Sequence, residues 1–375
     1  MLNTEHIPFH MLKFYIAGRL VALDKNPGVL PVEIRPIGIG EVLRRIIGKG
    51  VMTLLKPEIT EAAGPLQACA GHKGGVEAAV HAMKTIFDEP DTEAVLLVDA
   101  SNAFNSMNRQ TALHNIQLIC PEMATYLINT YRSSPSLYVA NSNGVEILSE
   151  EGCTQGDNAG MPFYSCNTLP LITLLKMENT CKQAWFADDS AAAGKMEGIR
   201  KWWGTLNQNA LPPMGYYPNS SKTWLILKNE NKMELAKKVF DGTGVNILGS
   251  VSSKQKFVTE KVDGWVDHLK TLSRFAKTDP HEAYAAFTYG FIHKWKYIQR
   301  TVPDIADLFQ PIIIKDCIRN DFTLALVGRA VSHTERTIFS LPTKLGGLNI
   351  PDPTKLCSKE YEWSQKNTSS CLIPH

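Results

Sequence analysis

The chain has 375 residues, of which 44% are hydrophobic and 20% are charged. This length and apolar content are enough to bury a sizeable core and to form two or three subdomains, so a disordered chain is excluded. The 39 Lys and Arg residues nearly balance the 37 Asp and Glu residues, which leaves a net charge of +2. No overall basic field marks a nucleic-acid binder, so any such surface must come from local placement of basic side chains.

The cysteine pattern and the N-terminal segment bear on the cellular environment. The eight cysteines include no Cys-x-x-Cys pair and no Cys/His cluster with zinc-ligand spacing, and they are typical of reduced core residues in an intracellular protein. The segment from Met11 to Leu23 is interrupted by Lys13 and Arg19, is too short to cross a bilayer, and lacks a small-residue cleavage site. We therefore expect neither secretion nor membrane insertion, and the sequence does not distinguish nucleus from cytoplasm.

Before residue 94 the pattern predicts a turn and two helices. Asn26-Pro27-Gly28 is typical of a turn. The segment from Ile39 to Leu55 is predicted to be an amphipathic helix. Its apolar face is expected to comprise Val42, Ile46, Ile47 and Met52, with Arg44, Arg45 and Lys49 off that face. A second helix is predicted from Gly75 to Phe87, with Val76, Val80, Met83 and Ile86 facing inward.

The middle of the chain alternates between strand and helix patterns. Strands are predicted at Val95–Asp99 and Thr223–Leu227, helices at Arg109–Cys120, Pro162–Met177 and Met196–Asn207, and hairpins at Ser136–Leu148 and Gln183–Ala193. The second hairpin would carry Asp188 and Asp189 at its tip. This order indicates an α+β layer, with helices on one face of a small antiparallel sheet.

Beyond about Ser250 the pattern becomes helical. A core-facing stripe is predicted at Tyr284, Phe287, Phe291, Trp295 and Ile298. Another face of the same helix carries Tyr289, His293, Lys296 and Arg300. That face is as typical of a solvated surface as of a helix that follows a nucleic-acid backbone. The tail from about Pro353 is polar and is predicted to fray.

Two acidic signatures are the most specific chemical features of the sequence. VDASNAF contains Asp99, and WFADDS contains Asp188 and Asp189. Each follows an apolar run that predicts a buried strand, where a carboxylate costs free energy unless a cation compensates it. Carboxylates that converge from two strands suit Mg²⁺, and two such ions can hold the attacking and leaving oxygens of a phosphoryl transfer. A lone Asp after a strand is more often a cap or turn residue, so the prediction depends on the whole ordered set of motifs.

That ordered set resembles the reverse transcriptase family, specifically the lineage of non-LTR retrotransposons and group II intron proteins. The matching strings are IRPIGIGEVLRRIIGK, LLVDASNAFNSMNR, EGCTQGD, FADD and NSSKTWLIL. The resemblance runs from about Lys25 to about Pro351 and implies a right-hand polymerase fold. Residues 1–94 would form a fingers-like region, 95–250 the palm with the small antiparallel sheet, 251–350 a helical thumb and 351–375 a polar tail.

The resemblance implies an RNA-directed DNA polymerase, a nucleotidyltransferase that acts as the core of a retroelement. Its partners would be an RNA or DNA template with a primer, and deoxynucleoside triphosphates. Asp99 and Asp188 would bridge two Mg²⁺ ions, or Mn²⁺ in their place, and Asp189 would support these ions. Lys222 matches the lysine proposed as general acid to the departing pyrophosphate, although a solvated lysine at the end of a strand is the alternative.

Further positions match substrate contacts of the family. Arg35, and also Lys25, correspond to fingers residues that grip the triphosphate, for which guanidinium geometry is well suited. The backbone that begins at Ala100 would approach the triphosphate. Phe104 would pack under the sugar and exclude a 2′-hydroxyl, which favours DNA synthesis, while a core position at the strand-to-helix turn is compatible with this role.

The Gln-Gly-Asp string matches the template and nucleotide contacts before the long palm helix. Gln155 and Gly156 would make these contacts, because a glycine lets the backbone approach a base closely. Asp157 can cap the helix that follows. The family usually continues with proline and a bulky apolar residue, whereas this chain has Asn158, Ala159, Gly160 and Met161.

A second departure from the family pattern concerns the segment Gly242–Lys254. It is too short for the family's primer-gripping hairpin, of which Leu248-Gly249 is the expected remainder. The two departures and the small net charge favour one alternative, a catalytically weakened remnant that still binds nucleic acid. Another alternative is a nucleotidyltransferase or RNA-copying polymerase with the same metal chemistry, which Phe104 disfavours. The sequence does not give the oligomeric state.

Overall fold

The computed structural model describes residues 6–249, 254–305, 311–355 and 357–369. Two compact units divide between residues 250 and 251. Each unit has a hydrophobic core of its own. The finer division into fingers, palm, thumb and tail stays a prediction.

The first unit contains helices and strands in alternation. Its N-terminal elements are α1 (Phe9–Ile16), β1 (Gly18–Asp24), β2 (Ile34–Gly40), α2 (Val42–Leu54), α3 (Lys56–Ala63) and α4 (Gly75–Asp88). They are followed by β3 (Ala94–Val98), α5 (Ala103–Ser106), α6 (Arg109–Ile119), α7 (Pro121–Tyr131), β4 (Ser136–Val139), β5 (Glu146–Leu148), α8 (Gly160–Glu178), β6 (Lys182–Phe186), β7 (Asp189–Gly194), α9 (Met196–Met214), β8 (Trp224–Leu227), α10 (Met233–Val239) and β9 (Asn246–Leu248). The hairpins predicted at Ser136–Leu148 and Gln183–Ala193 are confirmed as β4–β5 and β6–β7.

The strands described in this unit form two mixed sheets. One sheet has the order β2-β1-β4-β5, in which β1 is antiparallel to β2 and parallel to β4. The other has the order β6-β7-β3-β8-β9, in which β3 is antiparallel to both neighbours and β8 is parallel to β9. The α+β class is therefore confirmed, but the prediction of one antiparallel sheet closed by β8 is wrong. Local alternation cannot identify a pairing partner, and β9 lies beyond an intervening helix.

Helices cover both faces of the five-stranded sheet, whereas the sequence predicted them on one face. Leu96 and Val98 of β3 belong to the large core formed with α6, α8 and α9. Val95 points to the opposite side, where it clusters with Met83 and Ile86 of α4. Burial on both sides along most of β3 explains why its sequence AVLLV is a continuous apolar run.

The apolar face predicted for α2 is confirmed only in part, because Ile47 and Met52 pack against the core but Val42 and Ile46 do not. Val42 and Ile46 are 64% and 63% exposed, whereas Arg44 is only 4% exposed. The Arg44 guanidinium donates one hydrogen bond to the carbonyl of Ile16 at 3.0 Å and another to the carboxylate of Asp157. Burial lowers the pKa of Arg44, but the charge and hydrogen bond of Asp157 together with the nearby Tyr131 and Tyr126 more than offset this effect, so the pKa is raised overall. Helical periodicity placed Arg44 outside because its partner lies far away in the sequence.

The same ion pair changes the role expected for Asp157. Its carboxylate accepts a hydrogen bond from the Tyr131 hydroxyl at 2.8 Å in addition to the one from Arg44. It also accepts from the backbone N–H of Ala159, but α8 has no side-chain cap at its first turn. The capping role predicted for Asp157 is therefore wrong, and Asp157 fastens the segment before α8 to α2. The helix predicted at Pro162–Met177 begins two residues earlier, at Gly160.

The second unit is helical in its described residues. It comprises α11 (Lys254–Ala276), α12 (Pro280–Ala286), α13 (Ile292–Thr301), α14 (Pro311–Asp316), α15 (Leu324–Val327), α16 (His333–Ser340) and α17 (Cys357–Thr368), with π-helical segments at Phe287–Phe291 and Cys317–Thr323. Most of the predicted apolar stripe is confirmed as core, because Phe287, Phe291, Trp295 and Ile298 are buried. On the predicted basic face, Tyr289 is 84% exposed.

The C-terminal segment does not match the frayed polar tail that was predicted. Helix α17 packs against α13, and its Ser364 and Thr368 are 0% and 1% exposed. The Thr368 hydroxyl donates to the carbonyl of Ser364 at 2.7 Å, which satisfies a polar group away from water. The polar composition predicted a solvated segment. That prediction failed because small polar residues that form hydrogen bonds within their own helix are compatible with burial.

Two further features of the described residues are the state of the cysteines and the character of the helices. Seven cysteines lie in the described residues as free thiols, and all of them except Cys69 are buried. Among the helices described here, none combines the length and apolar character needed to span a lipid bilayer.

The buried Arg44–Asp157 pair generates a prediction about stability. Arg44→Ala should lower the free energy of unfolding by about 3–5 kcal/mol, because the Asp157 carboxylate is left buried without its cation. Chemical denaturation followed by circular dichroism measures this difference. Arg45 is the next residue of α2 and is exposed, so Arg45→Ala should change the free energy by no more than about 0.5 kcal/mol. Equal losses in the two variants would show that the pair contributes no more than a surface arginine.

Candidate active site

Three carboxylates meet at one edge of the five-stranded sheet. Asp99 directly follows β3, Asp188 lies in the turn between β6 and β7, and Asp189 is the first residue of β7. Because β3 and β7 are antiparallel neighbours with Val98 opposite Ser190, the end of β3 and the start of β7 lie side by side. The charge of Asp99 accordingly acts on both Asp188 and Asp189.

Burial and mutual repulsion make two of these acids weaker than usual. The pKa of Asp188 is raised to about 6, first by burial and then by the charges of Asp189 and Asp99, against an opposing effect of Arg35. The pKa of Asp189 is also raised, first by burial and then by Asp99. A cation at this edge of the sheet would relieve the repulsion.

The donor set suits a hard divalent cation in its chemistry, because all the available ligand atoms are carboxylate oxygens. In the described parts of the chain, however, no three His, Cys, Asp or Glu side chains are gathered tightly enough to surround one ion. The Asp99 side chain is 40% exposed, so its position is not locked by packing. A metal ion would therefore require these side chains to turn toward a common point.

Lys222 lies beside the first of the three carboxylates. Its Nζ is 3.9 Å from Oδ2 of Asp99, and both side chains are substantially exposed. Lys222 ends a 3₁₀ turn that directly precedes β8, and the preceding Asn219 donates its backbone N–H to the carbonyl of Asp99 at 2.9 Å. Ala100 is buried and pairs with Pro218 through a β-bridge. The loop before β8 is thus fastened to the segment after β3, which brings Lys222 to Asp99.

The two basic residues predicted to contact a triphosphate lie in different environments. Arg35 is an exposed residue of β2, and its positive charge acts on Asp188. Lys25 follows β1, and its Nζ lies 3.7 Å from Oε2 of Glu33, the residue before β2. The structure therefore brings Arg35 toward the acidic residues, whereas the described ion-pair partner of Lys25 lies within its own hairpin.

Phe104 forms an aromatic stack near the acidic residues. Its ring lies on that of Tyr164, with 4.6 Å between the centroids and 24° between the planes. Burial is the main cause of the raised pKa of the Tyr164 hydroxyl, and the Asp188 charge contributes to it. Tyr164 therefore lies near the acidic residues, although none of the sequence motifs includes it. Its position within an apolar helix gave no sign of a role beyond the core.

The Gln155-Gly156 segment is attached to β2. The carbonyl of Gln155 accepts a hydrogen bond from the backbone N–H of Gly38 at 2.8 Å. Gly156 has φ +106°, and a Cβ atom there would lie 2.6 Å from the carbonyl oxygen of Gly38. Only glycine fits this close approach. The side-chain Oε1 of Gln155 is buried and has no hydrogen-bond partner in the described structure.

Gln67, which is not part of any sequence motif, holds the turn that carries Asp188. Gln67 is 0% exposed, and its amide oxygen accepts from the N–H of Ala187 at 2.8 Å while its amide nitrogen donates to the carbonyl of Ala187 at 3.0 Å. Ala187 has φ +55°, which is unfavourable for a residue with a Cβ atom. The Tyr216 hydroxyl donates to the carbonyl of Asp188 at 2.9 Å. No local pattern marks Gln67, because its partner lies 120 positions away.

The fold is similar to solved structures of telomerase. The apo telomerase from Candida tropicalis aligns with 96% of this chain and 65% of its own length, at 11% identity and a TM-score of 0.51. The telomerase from Candida albicans in complex with a TWJ fragment of telomeric RNA aligns with 98% of this chain and 64% of its own length, at 10% identity and a TM-score of 0.46. This chain spans between 50% and 65% of the length of the solved structures it matches.

Sequence comparison adds no assignment. No family model matches the chain, and no curated protein matches it. The structural likeness to the apo telomerase nevertheless shows that this chain shares its fold. An identity of 11% does not show the lineage of the chain, so the relation to non-LTR retrotransposons and group II introns stays a prediction.

The Gln67 contact generates a prediction that needs no catalytic assay. Gln67→Leu should lower the free energy of unfolding by about 1–3 kcal/mol, because the N–H of Ala187 is left buried without an acceptor. Gln117 is an exposed residue of α6, so Gln117→Leu is the matched control and should be nearly neutral. Hydrogen exchange at the Ala187 amide should also become faster in Gln67→Leu. Unchanged exchange at that amide would rule out Gln67 as the residue that holds the turn.

The raised pKa of Asp188 predicts a pH-dependent gain in stability when its charge is removed. In the folded chain this pKa is about 6 against an ordinary value of 3.8, so the folded state binds the proton more tightly than the unfolded state does. The contribution of Asp188 to the stability of the parent chain should therefore fall as pH rises from about 4 to about 6. Asp188→Asn should have the same melting temperature as the parent near pH 4 and a higher one at pH 8.

Thermal unfolding in a buffer without divalent ions measures this effect. Asp241 is an exposed acidic residue of the same unit, so Asp241→Asn is the control and should give no such gain. A gain for Asp188→Asn that is equally large at both pH values would contradict the buried-charge explanation.

Proposed function

We propose that this chain is the core of an RNA-directed DNA polymerase that extends a primer 3′-hydroxyl, with Asp99, Asp188 and Asp189 as ligands of divalent ions. One observation carries the proposal. Carboxylates from β3 and from the β6–β7 turn meet at one sheet edge within a reverse transcriptase-like fold, and basic side chains accompany them. Retroelement origin, as predicted from the motifs, belongs to this proposal.

Divalent ions would supply the electrostatic part of the reaction. Two Mg²⁺ ions, or Mn²⁺, would favour ionisation of the primer hydroxyl and neutralise charge on the departing pyrophosphate. The raised pKa values of Asp188 and Asp189 support this assignment, because they indicate carboxylates that lack a compensating cation. Lys222 already provides one positive charge at Asp99.

The residues around the carboxylates would bind and orient the nucleotide. Arg35 offers a guanidinium that can donate two parallel hydrogen bonds to phosphate oxygens, and its charge reaches Asp188. Lys222 would donate a proton to the leaving pyrophosphate. The Phe104–Tyr164 stack provides a rigid apolar wall, on which a deoxyribose could rest while a 2′-hydroxyl would be left without a hydrogen-bond partner.

The template would be positioned by the Gln155-Gly156 segment. The bond from Gly38 to the carbonyl of Gln155 fixes this segment against β2, the strand that carries Arg35. The close approach at Gly156 leaves backbone, without a side chain, at the contact with the sheet. Template and nucleotide contacts would therefore share one support, so that a shift in one would displace the other.

A catalytically weakened polymerase that still binds nucleic acid is the second candidate. The geometry of β9 favours this candidate. Strand β9 is parallel to β8 and follows it through α10, so the two strands do not form the hairpin that the family uses to hold the primer. Residues 250–253, where the predicted primer-gripping segment continues, lie outside the described residues. A poorly held primer end would slow extension strongly, since a displacement of about 1 Å can cost roughly a hundredfold in rate.

Primer extension on an RNA template with Mg²⁺ and deoxynucleotides tests the proposal. Asp188→Asn should slow extension by at least about a hundredfold, the scale for loss of one strong electrostatic group, and should leave duplex binding intact. Asp241→Asn is the matched surface control and should extend at the parental rate. Extension that is unaffected by Asp188→Asn would refute the metal assignment.

The same assay separates the alternatives. Duplex binding without extension by the parent chain would favour the weakened remnant. Equal use of ribonucleotides and deoxynucleotides by the parent chain would favour the RNA-copying enzyme and would remove Phe104 as a sugar gate.

A further inference from the structure

The second unit contains a small pocket with a strongly basic lining. It is a cavity of about 40 Å³ formed by α14, the π-helical segment that follows it, α16 and the loop before α17. Its charged side chains are Lys315, Arg319, Arg336, Lys355 and Asp352, and His333 also lines it. None of these residues belongs to the candidate active site, which lies in the first unit.

The charge in this pocket is far from balanced. Four permanent cations face one carboxylate, so the local sum is 4 − 1 = +3 with His333 neutral. The whole chain of 375 residues carries only +2. An excess of this size in one cavity leaves a strong attraction for an anion, because partly enclosed charges are screened less than those on an open surface.

Arg336 is the buried base of the pocket. It is 9% exposed, and its guanidinium donates to the carbonyls of Ile350 at 2.8 Å and Pro351 at 3.2 Å. Burial lowers the pKa of Arg336, the charge of Arg319 adds to this effect, and Asp352 opposes it. Neutral carbonyls fix the side chain in place but do not cancel its charge.

The nearby carboxylates are already engaged. Asp352 accepts hydrogen bonds from the backbone N–H of Thr354 at 3.1 Å and from its hydroxyl at 2.7 Å, and lies 4.0 Å from Nζ of Lys315. Glu335 of α16 pairs with Arg329 at 2.5 Å and caps its own helix.

Two cations of the pocket are left without a counter-charge. In the described part of the chain, no carboxylate pairs with Arg319, whose guanidinium donates to the carbonyl of Val331 at 3.3 Å. The same holds for Lys355, which is exposed. Both side chains can therefore turn to an incoming anion without breaking an ion pair.

We propose that this pocket binds a phosphate group, carried either by a nucleic-acid strand or by a free polyphosphate. One ordered water needs a cavity volume of roughly 10–15 Å³. The cavity of about 40 Å³ therefore has room for about three waters. A tetrahedral oxyanion is of a size to occupy this space. Guanidinium and ammonium donors match phosphate oxygens in charge and geometry.

The test compares two double variants that remove the same charge from the same unit. Arg319→Gln with Lys355→Gln alters the pocket. Lys277→Gln with Lys359→Gln removes two exposed cations that do not line it. Affinity for tripolyphosphate is measured by calorimetry, and affinity for a labelled single-stranded DNA by fluorescence anisotropy over a series of salt concentrations. Circular dichroism checks that both variants are folded.

We expect the pocket variant to lose about tenfold or more in affinity for at least one of these ligands, and the control variant to lose less than about twofold. For DNA, loss of one phosphate contact should also reduce the slope of log affinity against log salt by about 1. A loss confined to DNA identifies a nucleic-acid strand as the source of the phosphate, and a loss that includes tripolyphosphate identifies a free polyphosphate. Equal losses in the two variants, or none in either, would overturn the proposal.

A measurement on the unmodified chain gives an independent test. Acetylation of Lys315 and Lys355 should slow when either ligand is added, whereas acetylation of Lys277 and Lys359 should not. If a ligand slowed acetylation equally at all four lysines, or at none of them, the result would contradict a specific site. No step of this test depends on polymerisation, so it stands or falls separately from the proposed activity.

Discussion

The pairing of β3 with β7 is the constraint on which the candidate active site depends. Their antiparallel register places Val98 opposite Ser190, so the residue after one strand and the turn before the other share one sheet edge. Side chains alternate along a strand, and a shift of one residue would turn an acidic side chain to the other face. Burial of β3 between two helical layers keeps water from its backbone, so its N–H and carbonyl groups depend on pairing with β7 and β8 in this register.

Repulsion between the neighbouring carboxylates destabilises the first unit, and two features of the structure counteract this repulsion. Gln67 and Tyr216 hold the backbone of the β6–β7 turn through hydrogen bonds to Ala187 and Asp188, so the acidic side chains are presented by a rigid support. Charge compensation is only partial, with Lys222 at Asp99. A site arranged in this way is destabilised when empty, and a cation that binds the folded state alone would recover the lost free energy.

Elements governed by local patterns could be predicted from the sequence. The β6–β7 hairpin and the apolar stripe ending at Ile298 followed from short strings. What could not be predicted depends on partners distant in the chain. The inward turn of Arg44 requires Asp157, and the role of Gln67 requires Ala187, each more than a hundred positions away. Hydrophobic periodicity counts an arginine as polar wherever its counter-charge lies, so Arg44 was placed on the wrong face of α2.

Net charge is a weak guide to function in a chain built in this way. A total of +2 argues against a general affinity for nucleic acid, yet the total averages over regions of opposite character. Acidic residues converge at the sheet edge of the first unit, and cations exceed carboxylates by three in the pocket of the second. Electrostatic attraction depends on the local field within about 10 Å at ordinary salt concentrations, not on the sum over the chain. The two signs therefore occupy different parts of the chain, and a near-neutral total is what their combination produces.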